Sequence, residues 1–246
     1  MSQSHEQIIV DITIAAPLDI VWAALRDPAL IQTWFGWETP SLAEEIRFIF
    51  IDGVTEDAAG HRLQFGEWEG ASHAILLADE GERTGLRVVR QAAVPIDFAG
   101  AYDDVTEGWI NFFQQMRLAL ERHRGEQRRT LYLSGAGRQG IAAPTAELGL
   151  GDIAGLVPDA PYAAELGMGD SITGQVWYQS HFQTGLTVAQ WGEGLLVVSD
   201  MGVSPRRPHG GGSVLLTTYG LSDAEFAALE QRWTAWWSTR YPPPAA

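Results

Sequence analysis

The sequence predicts an α+β protein: an antiparallel sheet with helices on one face, in an arrangement that occurs twice. Three observations lead there. Residues 104–123 form a long amphipathic helical pattern that follows a series of strand signals broken by turns. A second series of strand signals ends in a second such pattern at 222–241. The chain has 246 residues, 46% of them apolar, which is enough for two ordinary domains with real cores. The expected domains are 1–125 and 126–246.

The elements follow in order. Residues 7–15 alternate Ile8, Val10, Ile12 and Ile14 against Asp11 and Thr13, so they read as a strand with one buried face. Pro17 suits a first helical turn, and a helix over 17–26 turns Val21, Ala24 and Leu25 inward. Asp27-Pro28 repeats the start signal for a short helix that Gly36 ends. Strands are predicted at 46–51 (IRFIFI), 61–68, 72–78 and 86–93, with glycine-containing turns between them. In the long helix Trp109, Phe112, Phe113, Met116, Ala119 and Leu120 recur at spacings of three and four and share a face. Asp104 and Glu107 fit a capping box at its start. In the second half, strands are predicted at 129–134, 173–183, 186–191, 194–199 and 213–219, with a weak helical stretch at 144–156. Ser222 and Glu225 fit a second capping box, and Phe226, Leu229, Trp233, Trp236 and Trp237 line one face of the last helix.

Composition narrows the chemistry. Net charge is −15, with 20 acids and 9 arginines in 1–125 and 11 acids and 7 arginines in 126–246. Nucleic acid is not an expected partner, because phosphate binding needs a basic surface. The chain has no Cys and no Lys, which removes thiolate chemistry, Cys-ligated metal, Schiff bases and a phosphate-loop lysine. No run approaches 18 apolar residues and the first residues are polar, so no membrane insertion is expected and the location expected is the cytoplasm.

Several patterns bear on function. Gly135-Ala-Gly137-Arg-Gln-Gly140 matches a dinucleotide fingerprint, but Pro144 interrupts the helix such a site needs, so a glycine-rich loop is expected instead. The six histidines show no metal-ligand spacing, and no cofactor is expected; His73 and His181 lie in strand patterns and could face a cavity. No nucleophile-elbow motif is present. Arg47, Arg87 and Arg90 sit inside apolar strand patterns. An inward guanidinium needs a carboxylate or an anionic ligand. Leu86, Val88 and Arg90 share one strand face and Arg87, Val89 and Gln91 the other, so only one of Arg87 and Arg90 points inward.

Residues 12–35 carry the pairs Ala16-Pro17, Val21-Trp22, Asp27-Pro28 and Trp34-Phe35, and Gly108-Trp109 opens the long helix. With these features residues 8–123 resemble the START-like, helix-grip (SRPBCC) superfamily. Within it the likeness is to relatives of the C-terminal domain of the activator of heat-shock protein 90 ATPase. The resemblance implies a helix-grip fold, a curved antiparallel sheet wrapped around a long terminal helix, and the second half looks like a degenerate tandem copy. It also implies a cavity between sheet and helix that takes a small hydrophobic or amphipathic molecule without catalysis. The residues expected to line it are Trp34, Phe48, Trp68, Arg87, Arg90, Trp109, Phe113 and Met116. Two alternatives stand beside this one: a chaperone-partner module that binds another protein, and a cyclase- or hydrolase-like enzyme using the same cavity.

Overall fold

The computed structural model describes residues 5–67, 70–92, 103–205 and 207–243. The chain divides into two compact units, Met1–Glu126 and Gln127–Ala246.

The first unit opens with strand β1 (His5–Ile14), helices α1 (Leu18–Arg26) and α2 (Pro28–Gln32), then α3 (Leu42–Ile46), which runs into a π-helical turn over Arg47–Asp52. A meander of β2 (Val54–Asp57), β3 (Arg62–Phe65), β4 (Ala71–Asp79) and β5 (Thr84–Ala92) precedes helix α4 (Asp104–Arg122). The sheet order is β1-β5-β4-β3-β2, antiparallel throughout. The first strand thus pairs with the last, and a long helix follows. One sheet face presents Val10, Ile14, Leu63, Ile75, Leu77, Leu86 and Val88 to Phe113, Met116 and Ala119 of α4 and to Val21, Ala24 and Leu25 of α1. Each large side chain so buried contributes roughly 1.5–3 kcal/mol. A register shift between Ile8 and Val10 breaks the alternation of β1 and leaves Ile8 exposed.

Two local readings are corrected. Residues 46–51 are not a strand. Leu42, Ile46 and Phe50 are buried at spacings of four, and this helical stripe governs the segment over the β-rich composition of IRFIFI. Phe48 lies between the buried positions and is 68% exposed. The cap of α4 is Asp103, one residue before the predicted one, with its carboxylate accepting from the backbone N–H of Val105 and Thr106. The cap of α2 is as expected: Asp27 accepts from Ala29 N, with Pro28 in the first turn.

The second unit repeats the plan. Strand β6 (Arg128–Ala136) is followed by a short helix α5 (Pro144–Glu147), then β7 (Pro161–Glu165), β8 (Ser171–Gln179), β9 (Gln183–Val188), β10 (Gly194–Met201), β11 (Gly211–Tyr219) and α6 (Asp223–Arg240). The order is β6-β11-β10-β9-β8-β7, again with the first strand beside the last and a long helix after it. Phe226, Leu229, Trp233, Trp236 and Trp237 of α6 pack with Val176, Leu186, Leu196, Val198, Val214 and Leu216 of the sheet. The helix-grip fold, in tandem, is therefore present. Ser222 and Glu225 form the expected capping box. Differences from the predicted elements are local: β7 is an additional strand, 189–191 is a 3-10 turn rather than the end of a strand, and the helix expected at 144–156 is one turn at Pro144–Glu147.

The glycine-rich stretch has a packing role. A side chain at Gly135 would collide with the carbonyl oxygen of Tyr241, where the chain leaving α6 closes against β6. Ala136 N donates to Pro242 O and Gly137 N to Gly210 O, so the backbone groups a phosphate would need are already bonded. Gly140 holds φ +82° in the following turn, a conformation glycine adopts freely.

Candidate functional site

In unit 1, α4 and the sheet enclose an aromatic cluster. Trp34 stacks on Phe113 (5.8 Å between centroids), and Phe113 on Trp109 (5.5 Å). Phe65 meets Trp109 edge-on at 5.2 Å, and Phe35 and Phe50 complete the group. Trp34 is fully buried because its indole N–H donates to Ala24 O at 2.9 Å. Trp109 and Phe112 are only partly buried, so the cluster reaches the surface along α4.

A polar group lies at the Trp109 end. Register pairs His73 of β4 directly with Arg90 of β5. Both face inward: His73 follows the alternation of Ile75 and Leu77, Arg90 that of Leu86 and Val88. Arg90, 4% exposed, donates from Nε to His73 Nε2 (3.2 Å) and from a terminal nitrogen to Asp103 Oδ2 (2.6 Å) and Thr106 Oγ1 (2.9 Å). Thr106 Oγ1 also donates to Asp103 Oδ2. The imidazole of His73 lies 6.1 Å from the Trp109 ring. Four residues from two strands and one helix start thus bind each other beside an aromatic wall.

The protonation states follow from this geometry. Burial, together with the Arg90 charge, lowers the His73 pKa to about 4, against a smaller opposing pull from Asp103. His73 is therefore neutral near pH 7. Since Nε2 accepts from Arg90, its proton sits on Nδ1. Burial would raise the Asp103 pKa, but hydrogen bonds from Thr106 and Arg90 and the guanidinium charge outweigh it and hold the carboxyl below its usual range. Asp103 is thus ionised, pairing with Arg90 and capping α4 at once. The lone pair His73 would need as a base is engaged, and the carboxylate is fully committed.

The predicted site residues divide. Trp34, Trp109, Phe113 and Met116 share one core, with Arg90 at its edge. Arg87 faces outward and pairs with Asp11 of β1 at 3.0 Å, so Arg90 is the inward arginine. Phe48 is on the outward side of the π-helical turn, 68% exposed, and lines nothing in the interior. Trp68 lies outside the described residues. Sequence reasoning did not single out Asp103 or Thr106, and it left His73 as a strand histidine of open orientation. The available signal was alternation, which puts His73 with Ile75 and Leu77. Among the described residues no group of three or more His, Cys, Asp or Glu is placed to hold a metal, and no helix is long and apolar enough to cross a membrane.

Comparison with known proteins gives no matching family model and no matching curated protein. Among solved structures the chain is similar to DynU16, from the dynemicin biosynthetic locus (19% identity, 96% of this chain and 95% of that one, TM-score 0.34). It is also similar to an AHSA1-like protein from Rhizobium etli (19% identity, 50% and 86% covered, TM-score 0.33). A third is the di-domain ARO/CYC protein BexL of the BE-7585A biosynthetic pathway (13% identity, 96% and 93% covered, TM-score 0.28). The tandem helix-grip description rests on the strand order and helix placement given above.

Proposed function

We propose that the first unit binds a small hydrophobic or amphipathic molecule beside α4, without catalysing a reaction on it. The aromatic residues Phe65, Trp109 and Phe112 would hold its apolar body, and the Arg90–His73 pair its polar end. The supporting observation is the buried guanidinium of Arg90 at the end of an aromatic core. A buried ion pair seldom pays for itself in stability, and apolar residues of similar volume often replace it at no loss. A ligand with an oxygen-rich or anionic end gives that charge a use. Binding rather than acid–base chemistry is favoured because the His73 lone pair and the Asp103 carboxylate are both engaged.

The test is displacement of a hydrophobic fluorescent probe from the native protein by an apolar carboxylic acid and by its neutral ester. Arg90→Met should weaken the acid at least about tenfold and leave the ester unchanged, as expected for loss of a charge-assisted contact. Equal loss of both, or no saturable binding of probe, acid or ester, would remove the ligand reading. The protein-interaction reading would then lead, and exposed Phe48 on its π-helical turn is the observation in its favour. In that case Phe48→Ala should abolish partner capture and leave stability unchanged.

A further inference from the structure

His73 carries a donor that its neighbours leave without an acceptor. The residue is buried, and its Nε2 accepts from Arg90 Nε at 3.2 Å, so the ring hydrogen is on Nδ1. Among the described residues that Nδ1–H meets no acceptor; the other side chain bonded to His73, Gln64, donates to its backbone carbonyl at 3.1 Å. The acceptors of the polar group are already engaged. Thr106 Oγ1 receives Arg90, and the Asp103 carboxylate receives Arg90, the Thr106 hydroxyl and the backbone N–H of Val105 and Thr106. A buried N–H left in this way costs about 1–3 kcal/mol.

The donor stands at one end of a column of rings. Trp34, Phe113 and Trp109 follow one another with planes 27° and 8° apart. Trp109 is the partly buried end, and the His73 ring lies 6.1 Å from it at 44°. An apolar body lying along Trp109 can therefore place its last polar atom a hydrogen bond, about 2.9 Å, from the imidazole. The charged groups against the ring are Arg90 of β5 and Asp103 at the start of α4, and with burial they keep it neutral near pH 7. An uncharged N–H serves a neutral acceptor as well as an anion.

We propose that His73 Nδ1–H is the specificity-determining contact of the first unit's site, and that it selects apolar molecules ending in an acceptor oxygen, an uncharged carbonyl as well as a carboxylate. This inference rests on the ligand reading given above and narrows it. A ligand of the same shape without the oxygen leaves the N–H without an acceptor and forgoes the gain. A ligand ending in an ammonium group brings hydrogen against hydrogen, and a positive charge towards Arg90. The charge of Arg90 favours an acid over its ester; the His73 donor favours both over a hydrocarbon. The two side chains thus read different properties of one polar end.

The experiment displaces the hydrophobic probe from the full chain at pH 7 with three ligands of one skeleton: nonan-2-one, 2-methylnon-1-ene, in which a methylene replaces the oxygen, and protonated nonan-2-amine. The ketone should bind at least about tenfold more tightly than either of the others. In His73→Phe, which keeps a ring and removes the donor, ketone and alkene should bind alike; a merely structural His73 would weaken both and preserve their ratio. A second measurement needs no variant. Nitrogen-15 shifts of labelled histidine in the native protein should show a protonated Nδ1 on His73, and its hydrogen should move downfield with the ketone but not with the alkene. Ketone and alkene displacing the probe equally would overturn this proposal and leave the ligand reading standing, as would a proton found on Nε2. No saturable displacement by ketone, acid or ester would overturn both.

Discussion

The two units start their long helices in different ways. Helix α6 is capped by a neutral hydroxyl, Ser222, with Glu225 reaching back at the surface; the strand before it, β11, has no charged residue. Helix α4 is capped by a carboxylate, Asp103, that also holds a guanidinium from the inner face of the strand before it, β5. Both caps satisfy the free N–H groups of a first helical turn. The second unit shows that the fold needs nothing more. The buried ion pair of the first unit is thus additional to folding, and it sits beside the aromatic wall where a ligand would lie. Local rules are broken where function is expected to compensate, and that expectation supports the ligand site proposed for the first unit over one in the interior of the second.

The largest expected effects test that contrast directly. Phe113 and Trp233 are fully buried in the two interiors. Each change to Ala should cost about 3–5 kcal/mol in chemical denaturation. The difference should appear when an apolar acid is added: it should recover part of the loss in Phe113→Ala, by occupying the space beside α4, and none in Trp233→Ala. Equal recovery, or none in either, would mean the two interiors do not differ as ligand sites.

Next in size is Asp103→Ala. It removes the cap and leaves Arg90 buried beside a neutral histidine. The expected loss is about 3–5 kcal/mol, the range for breaking one partner of a buried pair. Its counterpart Ser222→Ala removes a cap alone and should cost about 1 kcal/mol. Comparable losses from the two, measured by urea midpoints, would place Asp103 in a merely local role.

How far the sequence reveals this contrast depends on the residue. The helices and their faces were legible because long periodic patterns with capping residues leave little ambiguity; Phe113, Met116, Trp233 and Trp237 all lie on the predicted sides. The tandem plan was legible because the order of strands and terminal helix repeats. Residues 46–51 were misread because a short apolar run suits a strand or a helix, and the deciding spacing of Leu42, Ile46 and Phe50 extends beyond the run. The cluster itself was mostly illegible. Strand alternation narrows the choice between Arg87 and Arg90, but the pairing of Arg90 with His73 depends on register across β4 and β5, which no local pattern encodes. Asp103 was missed because two consecutive aspartates offer two possible caps, and only the helical backbone selects between them.

Acid pH offers a middle-sized effect confined to the first unit. The His73 pKa is about 4 in the folded protein against 6.5 ordinarily, so the unfolded chain takes up this proton first as pH falls. Stability should be fully present above about pH 6.5 and decline toward pH 4, by about 3 kcal/mol for a shift of this size. Asp103, with its pKa held below 3.8, contributes stability that is lost only as pH falls further. His73→Gln, whose amide oxygen can still accept from Arg90, should flatten the decline between pH 6.5 and 4. A variant with the wild-type slope would assign the pH dependence to other groups.

The smallest expected effect decides most about the comparison. Arg90→Met replaces a buried guanidinium by an apolar side chain of similar length. The loss of attraction to Asp103 is offset by the desolvation no longer required, and Asp103 still caps α4 through Val105 and Thr106. Stability should change by less than about 1 kcal/mol in either direction, because Asp103 is not left an unsatisfied buried charge: it is 13% exposed and still accepts from Val105 N, Thr106 N and Thr106 Oγ1. Because Asp103 loses a hydrogen-bond donor and a neighbouring positive charge, its pKa should rise toward the ordinary value, so less stability is lost on acidification and acid unfolding should begin at lower pH than in the parent. His73 loses the cation that depresses it, so its pKa should rise as well. A near-neutral change at pH 7 together with these two shifts would identify the ion pair as additional to folding, in contrast with the hydroxyl cap of α6. A loss of several kcal/mol at pH 7 would make Arg90 a structural member of its unit, and the distinction between the two helix starts would then be one of architecture alone.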